Sequence, residues 1–424
     1  MRFAAGRLVN SLALELRFAF RERAVIAALA FALLVASYAV ITGKLAIDAQ
    51  QAELEIMVQE TDADQRFVLS QQTDVGSAAY YVHHITYHPP SALAFSALGT
   101  REDLPWQHRL RMLAIEGQIY EADTGNPDLS RLGRLDFAFL VAVLLPLILI
   151  LLLYDLDARE RRDGRFELLT ATSASGNRTL LIKALARMLL LFIATIAPFA
   201  LMAVVAKTPL TESLMVAVVA FVHLMFWLFV CRFVTRRNLQ APTAATVLLA
   251  CWLLFTTVVP AASRILVEGS VPVPAGGELL LAQREAVNDA WDLPKSATMD
   301  PFIELYPELS SGAEIKESFE WKWYYAFHQM GDEFVRAESD ALRAGIERRD
   351  RLMGIAALLS PSLATERWLT HLAGTDRSHH QRYARCVRSF HTALREFHYP
   401  MLFGQVEFSL EAMAGLPKYQ PCNT

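Results

Sequence analysis

His83, His84 and His88 lie among Tyr80, Tyr81 and Tyr87 and form the densest group of metal-type side chains in the chain. Imidazole nitrogens suit zinc or copper. The spacing argues against a site, because neighbouring residues on an extended stretch point to opposite faces and no more than two of the three converge. His371, His379, His380 and His391 make a second group on stretches that read as helices, where a polar face is the simpler account. Glu304, Glu308, Glu320, Asp332 and Glu333 offer carboxylates without a spacing that singles out an acid/base pair. Neither a nucleophile elbow nor a zinc-protease helix motif occurs. The phosphate-cradling Gly-rich loop of ATPases is absent too: Gly43-Lys44 is followed by Leu45 and lacks the upstream glycine. The expectation is a chain with no catalytic residue, no resident metal and no cofactor, in which ATP-driven work requires a separate subunit.

What must hold such residues is a membrane scaffold. The chain has 424 residues, of which 54% are hydrophobic. A hydrocarbon core of about 30 Å needs about 20 apolar residues to cross it. Five runs meet that length, at 24–43, 135–154, 180–206, 212–234 and 240–262. The first is too long for a signal-peptide core and reads as an uncleaved anchor. His223 stands out as the ionisable residue well inside a span, where a hydrogen bond to a neighbouring helix is the ordinary role. Pro146 and Pro198 are expected to kink spans two and three. A net charge of −4 and the lack of a basic stripe interleaved with aromatics exclude nucleic acid as a partner.

Lys and Arg collect before span one (Arg2, Arg7, Arg17, Arg21, Arg23), between spans two and three (Arg159, Arg161, Arg162, Arg165, Arg178) and between spans four and five (Arg232, Arg236, Arg237). Positive residues stay on the cytoplasmic side. The N-terminus is therefore expected inside, with 44–134 and 265–424 outside, each long enough to fold as a domain. The expected fold class is mainly α: a polytopic helical membrane protein with five transmembrane helices, room for a sixth, and two extracytoplasmic domains, the first α+β.

Residues 1–23, with Leu8, Leu12, Leu16 and Phe20 at helical spacing, read as a helix in the membrane interface. Leu45, Ala52 and Ile56 continue span one as an amphipathic stalk. The stretch Val75 to Pro90 reads as extended, Pro105 to Tyr120 as helix, Glu314 to Asp350 as one long helix, Ser378 to Phe397 as another, and Gly269 to Gly277 as a linker. Trp321, Trp323, Tyr324 and Tyr325 fit a helix core, with a docking patch as the rarer use. Cys386 and Cys422 either pair in an oxidising compartment or remain free thiols.

The loop at 155–179 carries Glu160, Gly164, Glu167-Leu168-Leu169 and a polar tract from Thr170 to Asn177 before Leu181-Ile182-Lys183. It resembles the cytoplasmic loop of ABC transporter permeases of the type 2 exporter family. The segments Asp300-Pro-Phe-Ile-Glu-Leu-Tyr-Pro-Glu-Leu-Ser, Trp323-Tyr-Tyr-Ala-Phe-His, Gly331-Asp-Glu, Leu359-Ser-Pro, Leu372-Ala-Gly-Thr-Asp and Phe397-His-Tyr-Pro resemble an uncharacterised branch of that family with large outer domains. The likeness implies a coupling helix that presses on a separate ABC ATPase subunit, with Asp157, Glu160, Gly164, Phe166, Glu167, Leu168 and Leu169 in the coupling loop. It also implies a second permease copy or a sister permease, and placement in a bacterial inner membrane. Permeases of this class have six spans; here Leu352 to Leu372 offers only a re-entrant or interfacial hairpin around Pro361. The competing expectation is a membrane sensor or scaffold without transport.

Overall fold

A computed structural model describes residues 2–120, 135–164 and 176–422. Five helices are long and apolar enough to cross a membrane: α2 (Arg23–Ser70), α5 (Phe137–Arg162), α6 (Arg178–Val205), α7 (Leu210–Thr235) and α8 (Ala241–Ser270). A first helix, α1 (Arg2–Ala19), precedes them and packs on α6. The ends of α5 and α7 and the starts of α2, α6 and α8 share one basic end of the bundle. The stalk is real: α2 runs unbroken for 48 residues, about 72 Å at about 1.5 Å per residue. Ala28, Ala32, Ala36 and Ala39 line its buried stripe. Such small side chains let backbones approach closely, and here α2 lies against α6. Gly43 of α2 lies instead against the 3-10 turn Ala94–Ser96, where an added Cβ would run into the Phe95 carbonyl oxygen.

Two spans are locally wound as π-helix, α5 at Leu140–Leu144 and α8 at Leu254–Val258. Each stretch is followed by a proline, Pro146 or Pro260, whose missing N–H interrupts the regular ladder. At Pro146 the structure therefore shows a π segment where a kink was expected, while Pro198 lies inside a continuous α6.

Facing both π segments is a helical hairpin, formed by α12 (Arg336–Ala356), a 3-10 turn at Ala357–Leu359 and α13 (Pro361–Leu372). Ser360 caps α13 by accepting the Leu363 N–H at 3.1 Å, and its hydroxyl donates to the Phe255 carbonyl at 2.6 Å. Phe255 lies near the middle of α8, so the hairpin tip reaches into the bundle. Its outward residues Ile355, Leu358, Leu359 and Trp368 are exposed and apolar, as are those of the spans beside it. With 12 residues, α13 covers about 18 Å and falls short of the roughly 30 Å of a hydrocarbon core. This is the hairpin around Pro361 rather than a sixth span.

The remaining elements build one polar head: α3 (Val75–Tyr81), β1 (His84–Tyr87), β2 (Gln107–Leu110), α4 (Ile115–Tyr120), α9 (Gly276–Asp289), α10 (Ser296–Leu305), α11 (Trp321–Phe334) and α14 (Arg377–Leu402). The strands pair antiparallel, His84 opposite Leu110 and Tyr87 opposite Gln107. Local expectations are corrected in three places. Val75 to Tyr81 is helix, because Asp74 caps it through the Ser77 N–H at 2.8 Å and its small residues fit under Trp321 and Tyr325. Pro105 to Tyr120 is a strand and then a short helix, since β2 pairs with β1. The long helix expected from Glu314 to Asp350 is two, α11 and α12, divided at Val335.

The expectation that 44–134 and 265–424 form separate domains is also corrected. Ala79 and Met112 pack with Phe302, Trp323, Tyr325 and Tyr399, and Leu110, Ile115 and Ile119 pack with Tyr383, Val387 and Leu394. Both segments thus share their cores. A buried node ties them: Asp332 accepts the Ile115 N–H at 2.9 Å and pairs with Arg395 at 2.5 Å, while Glu116 pairs with Arg388 at 2.6 Å. Cys386 and Cys422 form a disulfide.

Candidate functional site

The basic end of the bundle concentrates charge where apolar helices meet water. After Leu153 the chain of α5 makes a turn at Tyr154 and Asp155, then continues as helix from Leu156 to Arg162. Gly164 stops it in the left-handed conformation, φ +69°, with its N–H on the Arg161 carbonyl at 3.0 Å. A Cβ there would meet nothing within 4 Å. The glycine is required by backbone conformation rather than by space.

Among the described residues, three ion pairs bind this short helix to its neighbours, and two more brace them. Asp157 and Arg232 of α7 pair at 2.8 Å and are both buried, the arginine also reaching Thr235 at 3.3 Å. Glu160 pairs with Lys183 of α6 at 2.7 Å. Arg159 holds Asp155 at 2.6 Å and Glu22 at 3.3 Å. Glu22, just before α2, also takes Arg187 of α6 at 2.7 Å, and Arg187 donates to the Leu152 carbonyl at 2.6 Å. The junction therefore joins the starts of α2 and α6 and the ends of α5 and α7. A buried pair deprived of one partner leaves an uncompensated charge that costs about 3–5 kcal/mol. These four elements cannot shift separately at this level without breaking such pairs.

Of the expected loop residues, Asp157 and Glu160 are thus tied inside the chain, and Gly164 is exposed at the helix end. Phe166, Glu167, Leu168 and Leu169 lie outside the described residues. Sequence reasoning missed Arg232 and Lys183 as the partners of Asp157 and Glu160, and Glu22 and Arg187 as further members of the junction. Lys183 and Arg187 lie within the run taken as span three, four residues apart and so on one helix face. That spacing was the available signal.

Around the hairpin tip, α13 and α8 make two neutral contacts with the bundle. Thr365 Oγ1 of α13 and His223 Nδ1 of α7 are 2.9 Å apart, and the Trp252 indole donates to the Val143 carbonyl in the π segment of α5 at 2.9 Å. His223 thus has the interhelical role expected of it. Where the head meets the bundle, a polar cleft of about 580 Å³ is lined by Asp136, Arg264, Asp350, Glu366, Arg367 and Asp376 among others.

The first histidine group does not assemble. His84 is buried on β1, His83 contacts the Tyr81 carbonyl, and His88 contacts Arg101 at 3.2 Å. In the second group, His371 and His379 converge on Asp376, whereas His391 contacts the Arg111 carbonyl. Trp323 and Tyr325 are buried in the head core. Asp332 serves the node described above.

Residues 277–421 match the family described as "Domain of unknown function (DUF3526)". No curated relative and no solved structure matches the chain.

Proposed function

We propose that this chain is the permease subunit of an ABC exporter-like complex, in which the junction around Asp157 and Glu160 passes motion from a separate ATPase subunit to the membrane helices. The observation that carries this reading is the set of ion pairs joining residues 155–160 to Glu22, Lys183 and Arg232, with Arg187 of α6 held in turn by Glu22. A loop that only set topology would need positive charge but no ion pairing to α2, α6 and α7, one pair of which, Asp157 with Arg232, is buried. In this reading α1 and the basic end lie in the cytoplasm of a bacterial cell, the five helices cross the inner membrane, and the head stands in the periplasm. The basic clusters favour that orientation. The Cys386–Cys422 disulfide favours it as well, since disulfides persist in oxidising compartments.

Two such chains, or this chain and a sister permease, bind two ATPase subunits. ATP closes the ATPases, the coupling loop moves, and the ion-paired helices move with it. The output is cargo export or mechanical action of the head on a periplasmic partner. Co-purification of the tagged chain from native membranes tests the reading. An ATPase subunit without membrane spans should be retained by wild type and lost from Gly164→Pro and Glu167→Ala. If no ATPase is retained by wild type, the permease reading fails.

A further inference from the structure

Among the described residues one group of three brings metal-type donor atoms within 4.8 Å of one another: His371, Asp376 and His379. His371 ends α13, the helix inserted in the bundle, and His379 lies in the first turn of α14 in the head. Between them the chain turns tightly through Gly374, at φ +66°. That turn is fixed by contacts that involve no ligand: Ser91 donates to the Ala373 carbonyl at 2.7 Å, the Thr100 N–H to the Thr375 carbonyl at 2.8 Å, and Thr375 to the Ala97 carbonyl at 2.8 Å. The backbone therefore presents the three side chains before anything binds.

Asp376 sits between the two imidazoles. Its Oδ2 lies 2.9 Å from His371 Nδ1, and its Oδ1 contacts His379 Nδ1. The carboxylate is oriented by the His379 N–H at 3.0 Å and the Ser378 hydroxyl at 3.0 Å, the outer support that metal-binding carboxylates have. His379 is buried, whereas His371 is 54% exposed on its side chain and leaves a route from water.

We infer that His371, Asp376 and His379 bind a divalent transition-metal ion of the zinc class, which clamps the bundle-inserted helix α13 to the head helix α14. Two imidazoles and one carboxylate with a position open to water are a zinc-type donor set, and they disfavour magnesium and calcium, which take oxygen ligands. With bonds of about 2.0–2.1 Å, tetrahedral donors end about 3.3 Å apart. The exposed His371 can close the remaining gap by rotation. On binding, the ion takes the place of the proton at each Nδ1, and the neutral imidazole carries its single proton on Nε2 instead. The inference stands whatever energy source acts on the bundle.

The test uses the full chain in detergent, purified with a tag free of histidine and stripped with chelator. Zinc chloride is titrated by calorimetry, and retained zinc is measured after dialysis. Wild type should hold one zinc per chain. His371→Ala removes an exposed ligand, and Asp376→Asn keeps the helix cap. Both should weaken binding by at least the ~10–100-fold that loss of an outer-shell partner alone produces, with circular dichroism and elution volume unchanged. His83→Ala should bind as wild type. Failure of wild type to retain zinc overturns the inference, as does a His371→Ala chain that binds as tightly as wild type.

Discussion

The two sides of the helical bundle are held by different chemistry. At the basic end, α5 is tied to α2, α6 and α7 by ion pairs, among them the buried pair of Asp157 and Arg232. Toward the head, the tip of the hairpin rests on neutral contacts, Ser360 to the Phe255 carbonyl and Thr365 to His223, while at its base the Arg349 guanidinium of α12 donates to the Val271 carbonyl after α8 at 2.9 Å. A neutral hydrogen bond is worth about 0.5–1.5 kcal/mol net, against about 3–5 kcal/mol for breaking a buried ion pair. The difference separates an ion-paired block from a hairpin tip seated on weaker bonds.

The largest expected effect falls on the block. Arg232→Ala should destabilise the chain by about 3–5 kcal/mol, because Asp157 is left buried without its partner. Thermal unfolding in detergent measures it. Asp157→Leu combined with Arg232→Met should recover most of the loss, and a double variant no better than the single would show that the pair is not what holds α5 to α7.

Next in size is a pH effect that sets the head apart from the block. Burial pushes His84 and His328 down to about 3 and His108 and His398 down to about 4. The unfolded chain takes up protons on these groups near the ordinary value of about 6.5 while the folded head does not. Their stabilising contribution is complete above that pH and declines as pH falls through it toward 4. Hydrogen exchange should therefore show head amides losing protection between pH 6.5 and 4 while the block at Asp157 and Arg232 keeps its own. Equal loss in both regions would erase the distinction.

A smaller change is expected at the hairpin seat. Ser360→Ala removes both the cap of α13 and the donor to Phe255, which should cost about 1–3 kcal/mol. Protease access to the Ala357–Leu359 turn should rise, with the ion-paired end unaffected. Smallest is Gly164→Ala, where a left-handed backbone costs about 1 kcal/mol in an open site. Its effect should appear as fraying of Leu156–Arg162 with no change in the hairpin.

How far the sequence revealed this arrangement depended on whether the signal was local. Apolar runs placed the five long helices because length and composition alone decide that property, and Leu45, Ala52 and Ile56 announced the stalk of α2. Arg187 was hidden because it sits in an apolar run and its meaning depends on Glu22, far away in the chain. Neither π segment has a local signature beyond Pro146 or Pro260. In the head, tertiary contacts overrode local preference: Gln107–Leu110 became a strand by pairing with His84–Tyr87, and the aromatic run from Trp321 divided at Val335. His371 and His379 belonged to a group that read as a polar helix face, and Asp376 entered it only through the turn at Gly374.

The most direct test is a distance between spin labels at positions 162 and 207, at opposite ends of the bundle, in the complex with its ATPase. The account predicts that trapping ATP changes this distance in wild type and leaves it unchanged in Asp157→Asn, although the ATPase remains bound. A distance that does not respond to ATP in wild type, or that responds equally in Asp157→Asn, would contradict the claim that the ion-paired junction carries the motion.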